Sequence, residues 1–288
     1  MNLKNTLKTL PQYLLPQHSL SKLMSLFTHC EIPAVKNLII QQIIQIYGVN
    51  MAEAADDNLD AYNSFNQFFT RALKAGVRPI DDQRLSVVSP ADGVVSQSGK
   101  ISDGRIFQAK GMNFSTLDLL GGDSERAKPF QDGLFSTIYL SPKDYHRLHM
   151  PLAGTLTEMV HIPGKLFSVN QATTESVPGL FARNERVACC FDTPAGPMAL
   201  ILVGAIFVSS IETTWHGVVT PPTVDSVRQW PYPTDKEPAP DFKKGDEMGR
   251  FNMGSTIIVL FGKDAVQWND DFTAGTAVKL GEAIGYLA

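Results

Sequence analysis

The sequence predicts an α+β fold: N-terminal helices followed by a β-rich body of short strands, barrel- or sandwich-like. Three observations predict it. Apolar residues in the first third recur at helical spacing, the remainder carries short apolar runs punctuated by Gly and Pro, and one texture gives way to the other near Val87.

The helical part carries three stripes. Leu20, Leu23, Met24 and Phe27 repeat at i, i+3, i+4, i+7. Lys36, Ile39, Ile40, Ile43, Ile44 and Tyr47 keep the same period, with Gly48 as the stop. Phe65, Phe68, Phe69 and Leu73 make the third. The second and third stripes are expected to face the core. The first segment differs, because Leu3, Leu7, Leu10, Leu14 and Leu15 lie among Lys4, Lys8 and Lys22 with almost no acid before Glu31. A basic amphipathic terminus suits the headgroup boundary of a bilayer. Residues 1–75 are therefore expected to form a helical, membrane-contacting region, and residues 76–288 a β-rich domain that carries the chemistry.

In that domain Val87-Val88, Val94-Val95, Phe135 to Leu140, Val187 to Phe191, Met198 to Val208 and Thr256 to Phe261 read as strands. Ser89-Pro90-Ala91-Asp92-Gly93 is a turn between two of them. Pro221 to Phe242, rich in Pro and charge, reads as a long surface loop, and Val278 to Gly285 as a late hairpin.

Composition narrows the function. The chain has 288 residues, 43% hydrophobic and 19% charged, which is ordinary for one or two packed domains. With 25 basic against 29 acidic residues its net charge is −4, which argues against a nucleic-acid partner. Its three cysteines, Cys30, Cys189 and Cys190, are odd in number and lack CxxC spacing, as expected in a reducing compartment. No signal-peptide pattern is read at the N-terminus, where Pro11 and Pro16 interrupt the leucines. Leu38 to Tyr47, the nearest approach to a spanning segment, falls short of the roughly 18–20 apolar residues required and contains Gln41, Gln42 and Gln45. Any membrane contact is expected to be peripheral.

Three places can carry chemistry: Asp92 in the SPADG turn, His146 and His149 between Pro142 and Pro151, and Ser255 after Gly254 at the mouth of an apolar strand. No metal is expected, because the HxxH pair lacks a third ligand. Asp, His and Ser are the parts of a hydroxyl-activating triad, in which the imidazole takes the serine proton and the carboxylate orients it. Ser255 lacks the GxSxG elbow of many serine hydrolases. A preceding Gly permits strained backbone, which favours attack by Ser255 on the Gly254 carbonyl of its own chain. The alternative is a serine hydrolase that uses Asp92, His149 and Ser255 on an external ester. A carrier module is a weaker alternative: the VKLGEAIG segment resembles lipoyl-type domains, but no lysine stands at a hairpin apex.

The chain resembles the short bacterial phosphatidylserine decarboxylases. The resemblance runs through FFTRALKAGVRP (68–79), SPADG (89–93), YLSPKDYHRLHMP (139–151), PGKLFSVN (163–170), LFARNERV (180–187), IETTW (211–215), KGDEMGRF (244–251) and MGST (253–256). Two positions depart from the family's pattern. Met253 stands where the cleavage motif usually has Leu, a volume-conserving change, and His216 follows Trp215 where a small residue is expected.

The resemblance implies a self-cleaving zymogen. With Asp92 and His149 activating it, Ser255 attacks Gly254 and the amide becomes an ester. Elimination then yields residues 1–254 and residues 255–288, whose strands remain in the shared body. Loss of ammonia leaves a pyruvoyl group at position 255. That group acts as an electron sink for a carboxy-lyase that converts phosphatidylserine to phosphatidylethanolamine. His146 is the candidate proton donor to the substrate carbon, and Asp144 could share the orienting role. Leu166, Phe167 and the segment Val177 to Phe181 are candidates for a mouth that takes acyl chains, with Phe167 as the substrate-binding residue. The resemblance further implies a homodimer of long-chain and short-chain pairs, seated peripherally on the cytoplasmic face of the cell membrane.

Overall fold

The helical period of residues 36–47 has its counterpart in a helix that stops where Gly48 turns left-handed, at φ 68°, and donates its N–H to the Ile44 carbonyl. In the computed structural model, which describes residues 3–206, 210–220, 226–233, 238–252 and 256–288, the helices are α1 (Leu3–Leu14), α2 (Gln17–Thr28), α3 (Pro33–Tyr47), α4 (Phe65–Phe69), α5 (Thr116–Leu119), α6 (Ser124–Ala127), α7 (Gln171–Thr174) and α8 (Leu180–Arg183). Pro16 breaks the chain between α1 and α2. The third stripe is shorter than its spacing suggests. Ser64 caps α4, which ends at Phe69, and Leu73 lies beyond it in a bridge to Ala54. The second stripe faces inward: Lys36 and Ile40 are buried, Ile39, Ile43 and Ile44 pack against the same cluster, and only Tyr47 at its end is exposed, whereas Leu38 and Ile46, which lie off the stripe, are 58% and 67% exposed.

The strands run β1 (Ser86–Val88), β2 (Gly93–Lys100), β3 (Arg105–Ala109), β4 (Met112–Ser115), β5 (Leu134–Tyr139), β6 (Arg147–His149), β7 (Gly154–Ile162), β8 (Arg186–Thr193) and β9 (Gly196–Val203). They continue as β10 (Ser210–Thr213), β11 (Gly217–Val218), β12 (Arg228–Pro231), β13 (Asp241–Phe242), β14 (Glu247–Asn252), β15 (Thr256–Phe261), β16 (Val266–Trp268), β17 (Ala277–Val278) and β18 (Ala283–Leu287). The main sheet has nine strands in the order β12-β7-β8-β9-β15-β5-β2-β17, with β13 also on β7. Smaller sheets are β11-β10-β14-β6, β1-β18-β16 and β3-β4.

Helices first and a β-rich body afterwards is the α+β order expected. The main sheet is open among the described residues and does not close as a barrel; stacked sheets on one of its faces give the sandwich-like part. Alternation along β15 shows how the layers form. Ile257, Val259 and Phe261 join a core shared with residues of two of the smaller sheets, β11-β10-β14-β6 and β1-β18-β16, among them Leu148, Phe251 and Ile284. Ile258 and Leu260 join a second core with residues of the short helices, among them Leu119 and Phe181. The adjacent Cys189 and Cys190 divide between these two cores in the same way.

Two loop expectations change. Within residues 221–242, β12 and β13 add to the edge of β7, and Pro231 sits at an edge strand, where a missing N–H is tolerated. Residues 278–285 are not a hairpin. β17 pairs with β2, whereas β18 pairs with β1 and β16, so the Lys279–Glu282 turn carries the chain from one sheet to another.

Candidate active site

Strand register gathers the three sequence-distant motifs at one end of the main sheet. Thr256, the first residue of β15, lies opposite Tyr139, the last of β5, and Tyr139 lies opposite Val94 near the start of β2. The SPADG turn enters β2, and the histidine loop leaves β5. Gly93 lies so close to β5 that a Cβ there would meet the Tyr139 carbonyl oxygen at 2.4 Å. Met253, Gly254 and Ser255 lie outside the described residues. Their neighbours belong to different sheets: Asn252 ends β14, where it donates to Ser210 Oγ at 2.6 Å, and Thr256 begins β15.

Asp92, 5% exposed, is held by a cation. Arg78 donates from Nε to Oδ1 at 2.8 Å and from Nη2 to Oδ2 at 2.6 Å, and the Leu280 N–H completes the cradle at 2.9 Å. Arg78 Nη2 also reaches Glu53 Oε2 at 2.7 Å, and this hydrogen bond holds the Glu53 carboxyl below its usual range. The paired carboxylates in turn push the Arg78 guanidinium up.

His149 does not hydrogen-bond Asp92. Its Nδ1 lies 2.8 Å from the Gly245 carbonyl, which can only accept, so Nδ1 carries the proton and Nε2 is the free base of the neutral ring. The expected carboxylate orienter is replaced by a backbone carbonyl, because Arg78 already engages Asp92. The Tyr145 hydroxyl stands 3.5 Å from Nε2. Burial lowers the His149 pKa below the ordinary histidine value. Burial also pushes the Tyr145 phenol up to about 12.

His146 is fully buried against Phe69, with ring centroids 4.0 Å apart. Its Nδ1–H donates to the Asp144 carbonyl at 2.8 Å, and Nε2 has no hydrogen-bond partner among the described residues. Burial, reinforced by the nearby Arg71 cation, lowers its pKa to about 3, so the ring stands neutral, with a buried lone pair on Nε2 instead of a proton to give. The Asp144 carboxylate is engaged elsewhere, accepting both the N–H and the hydroxyl of Ser141 at 2.7 Å. Phe251, near the end of β14, donates its N–H to the His146 carbonyl at 3.1 Å. In the register His146 is thus nearer the end of β14 than His149, which lies opposite Glu247.

A cavity of about 340 Å³ adjoins these groups, its walls including Tyr47, Phe65, Phe69, Tyr139, Ser168 and Val169. Phe167 is not at its mouth. It is 1% exposed within the second core, beneath Tyr13 of α1; Val177, Leu180 and Phe181 join the same core, and Leu166 is buried as well. The two residues after Phe167 reach the cavity instead. His216 meets the Trp230 ring edge-to-face on the edge strand β12, four strands from β15 in the sheet order.

Sequence reasoning did not single out Arg78, Glu53, Tyr145 or Gly245. Arg78, Tyr145 and Gly245 lie inside the motif runs quoted above, so a signal existed without a role. Glu53 lies in none of them.

Comparison of the sequence with known proteins matches it to one family. The profile described as phosphatidylserine decarboxylase matches residues 65–286, and one described as PSD matches residues 7–48. The chain is 55% identical over 283 residues to a phosphatidylserine decarboxylase proenzyme of Ectopseudomonas mendocina, covering 98% of this chain and 99% of that one. It is 57% identical over 279 residues to that of Marinobacter nauticus, covering 96% of each chain. It is 53% identical over 283 residues to that of Azotobacter vinelandii, covering 98% and 99%. The chain belongs to the phosphatidylserine decarboxylase family.

Proposed function

We propose that this chain is a proenzyme that cuts itself between Gly254 and Ser255 and then decarboxylates phosphatidylserine to phosphatidylethanolamine. The observation that carries the reading is the convergence of Asp92, the His146–His149 loop and the start of β15 at one end of one sheet.

In the cleavage, His149 Nε2 takes the Ser255 hydroxyl proton while the Gly245 carbonyl holds Nδ1–H. The Ser255 oxygen bonds to the Gly254 carbonyl carbon, and the peptide C–N bond breaks as the nitrogen receives the proton. Asp92 acts through its charge and its hold on Leu280, not through a bond to His149. Elimination frees Gly254 as a carboxylate. The two pieces stay together because β15 is paired on both sides, with β9 and β5.

A pyruvoyl group at position 255 would follow Ser255 chemistry, and two groups at this end of the sheet suit it: among the described residues, the Thr256 hydroxyl and His146 Nε2 are both buried without partners. When present, it supplies a carbonyl that condenses with the substrate amine and accepts the electrons of the breaking Cα–carboxylate bond. His146 Nε2 is an acceptor in the resting site, so it takes the substrate ammonium proton and returns it to the substrate carbon after carbon dioxide leaves. The phosphate and carboxylate of the substrate raise the pKa that burial lowers.

The apolar surface for a bilayer lies on α1, α2 and α3, where Leu14 is 87%, Leu26 72% and Ile46 67% exposed. No helix among the described residues is long and apolar enough to cross a membrane. The reading includes a peripheral seat on the cytoplasmic face and a homodimer of long-chain and short-chain pairs, both supported by family resemblance. The test is release of carbon dioxide from carboxyl-labelled phosphatidylserine, abolished by borohydride reduction of a ketone-type carbonyl. Activity that survives reduction would sink the pyruvoyl assignment.

A further inference from the structure

The N-terminal helices do more than offer an apolar surface. At the α1–α2 corner, Gln12 Oε1 accepts the Ser168 N–H at 2.8 Å, and Gln12 Nε2 donates to Ser168 Oγ at 3.2 Å. Gln17, 4% exposed, accepts the Leu166 N–H at 2.7 Å and donates to the Gln12 carbonyl at 2.7 Å. Between these contacts the chain alternates as a strand would: the Phe167 N–H turns the other way and donates to Asn184 Oδ1 at 3.1 Å. Apart from an isolated bridge at Lys165, residues 164–170 belong to no described strand, so side chains stand in for the missing ladder. The corner is also fastened by packing, with Tyr13 4.9 Å from Phe167 and the Arg183 guanidinium over both rings.

The clamped segment is a wall of the cavity, to which it contributes Ser168, Val169 and Asn170. We infer that Gln12 and Gln17 are positioning residues of the substrate site, through which the membrane-facing helices fix the wall that receives the lipid. The inference rests on the decarboxylase reading. It separates two functions of the N-terminal helices: attraction to the bilayer, carried by exposed leucines, and shaping of the site, carried by two glutamines.

The experiment uses the matured full chain and short-chain phosphatidylserine kept dispersed, so that no bilayer is needed. Gln12→Ala combined with Gln17→Ala should lower kcat/KM on the dispersed lipid by about tenfold or more, because small displacements of a binding wall are costly. A rise in KM should accompany it; a variant that merely unfolds in part loses active sites, lowers kcat and leaves KM alone. Binding to anionic phospholipid vesicles and the extent of self-cleavage should stay at wild-type levels. Amide exchange at Leu166 and Ser168 should quicken. Gln12→Glu should restore most of what Gln12→Ala loses, since one carboxylate oxygen still accepts the Ser168 N–H and the other accepts its hydroxyl. Wild-type KM and kcat in the double variant, or equal losses in Gln12→Glu and Gln12→Ala, would overturn the inference. A wild-type protein that neither matures nor releases carbon dioxide would instead overturn the decarboxylase reading.

Discussion

Arg78 grips both carboxylate oxygens of Asp92, with its Nε 2.8 Å from Oδ1 and its Nη2 2.6 Å from Oδ2, where each side chain is 8% exposed. Removing one partner of a buried pair leaves an uncompensated charge, so Arg78→Met should cost roughly 3–5 kcal/mol in denaturant unfolding. It should also slow self-cleavage, because Asp92 would no longer be fixed beside Leu280. Arg78→Lys should rescue only in part, since an ammonium cannot fork across two oxygens. Wild-type stability and maturation in Arg78→Met would refute this account of the cradle.

The carbonyl of Gly245 sets the tautomer of His149, and burial lowers its pKa. The basic form is therefore already present at neutral pH. The self-cleavage rate should stay level as pH falls from 8 to about 6.5 and decline only below the ordinary histidine pKa. Mass spectrometry of time-resolved samples reads this directly. A rate that halves between pH 8 and 7 would contradict it.

His146 titrates at about 3 in the folded chain against an ordinary 6.5. Between those values the unfolded chain binds a proton that the folded chain does not, so stability is full above pH 6.5 and falls as pH drops toward 3. From pH 6.5 down to about 4.5, above the carboxylate range, His146→Gln should lose stability less steeply than wild type in guanidinium titrations. Parallel slopes would show that His146 is not buried neutral.

A Cβ at position 93 would sit 2.4 Å from the Tyr139 carbonyl oxygen and 3.0 Å from Ile138 Cγ2. Gly93→Ala should force β2 and β5 apart, costing about 1–3 kcal/mol or more and lowering the cleaved fraction. Thermal melting with unchanged midpoint would count against the close approach.

Leu14 and Leu26 are 87% and 72% exposed, so replacing them should not unfold the chain. Each leucine inserted into a bilayer is worth roughly 1.5–3 kcal/mol, so Leu14→Glu with Leu26→Glu should weaken vesicle binding by about tenfold or more. Turnover of dispersed short-chain lipid should persist. Undiminished vesicle sedimentation would remove α1 and α2 from the membrane surface.

Much of this architecture is legible in the sequence where the deciding forces are local. Gly48 marks the end of α3 because the stop is a left-handed residue, and Ser89 to Gly93 marks a turn because its residue types favour one. The site is legible as a set of residues because the motifs are dense. Its wiring is not. Arg78, which binds Asp92, and Glu53, which binds Arg78, are placed by tertiary packing that no periodicity reports. Apolar character alone also cannot separate a binding mouth from a core, and so Phe167 was expected to meet lipid and lies under Tyr13. The late apolar segment reads as a strand, but its insertion between β9 and β5 depends on pairing across long stretches of chain.

The most direct test of self-processing is the intact mass of the purified protein under denaturing conditions. The account predicts two species divided at Gly254–Ser255, the C-terminal piece one ammonia lighter than a chain beginning with serine. A single full-length mass that persists after prolonged incubation with phospholipid would contradict it and favour a hydrolase that uses Ser255 on an external ester.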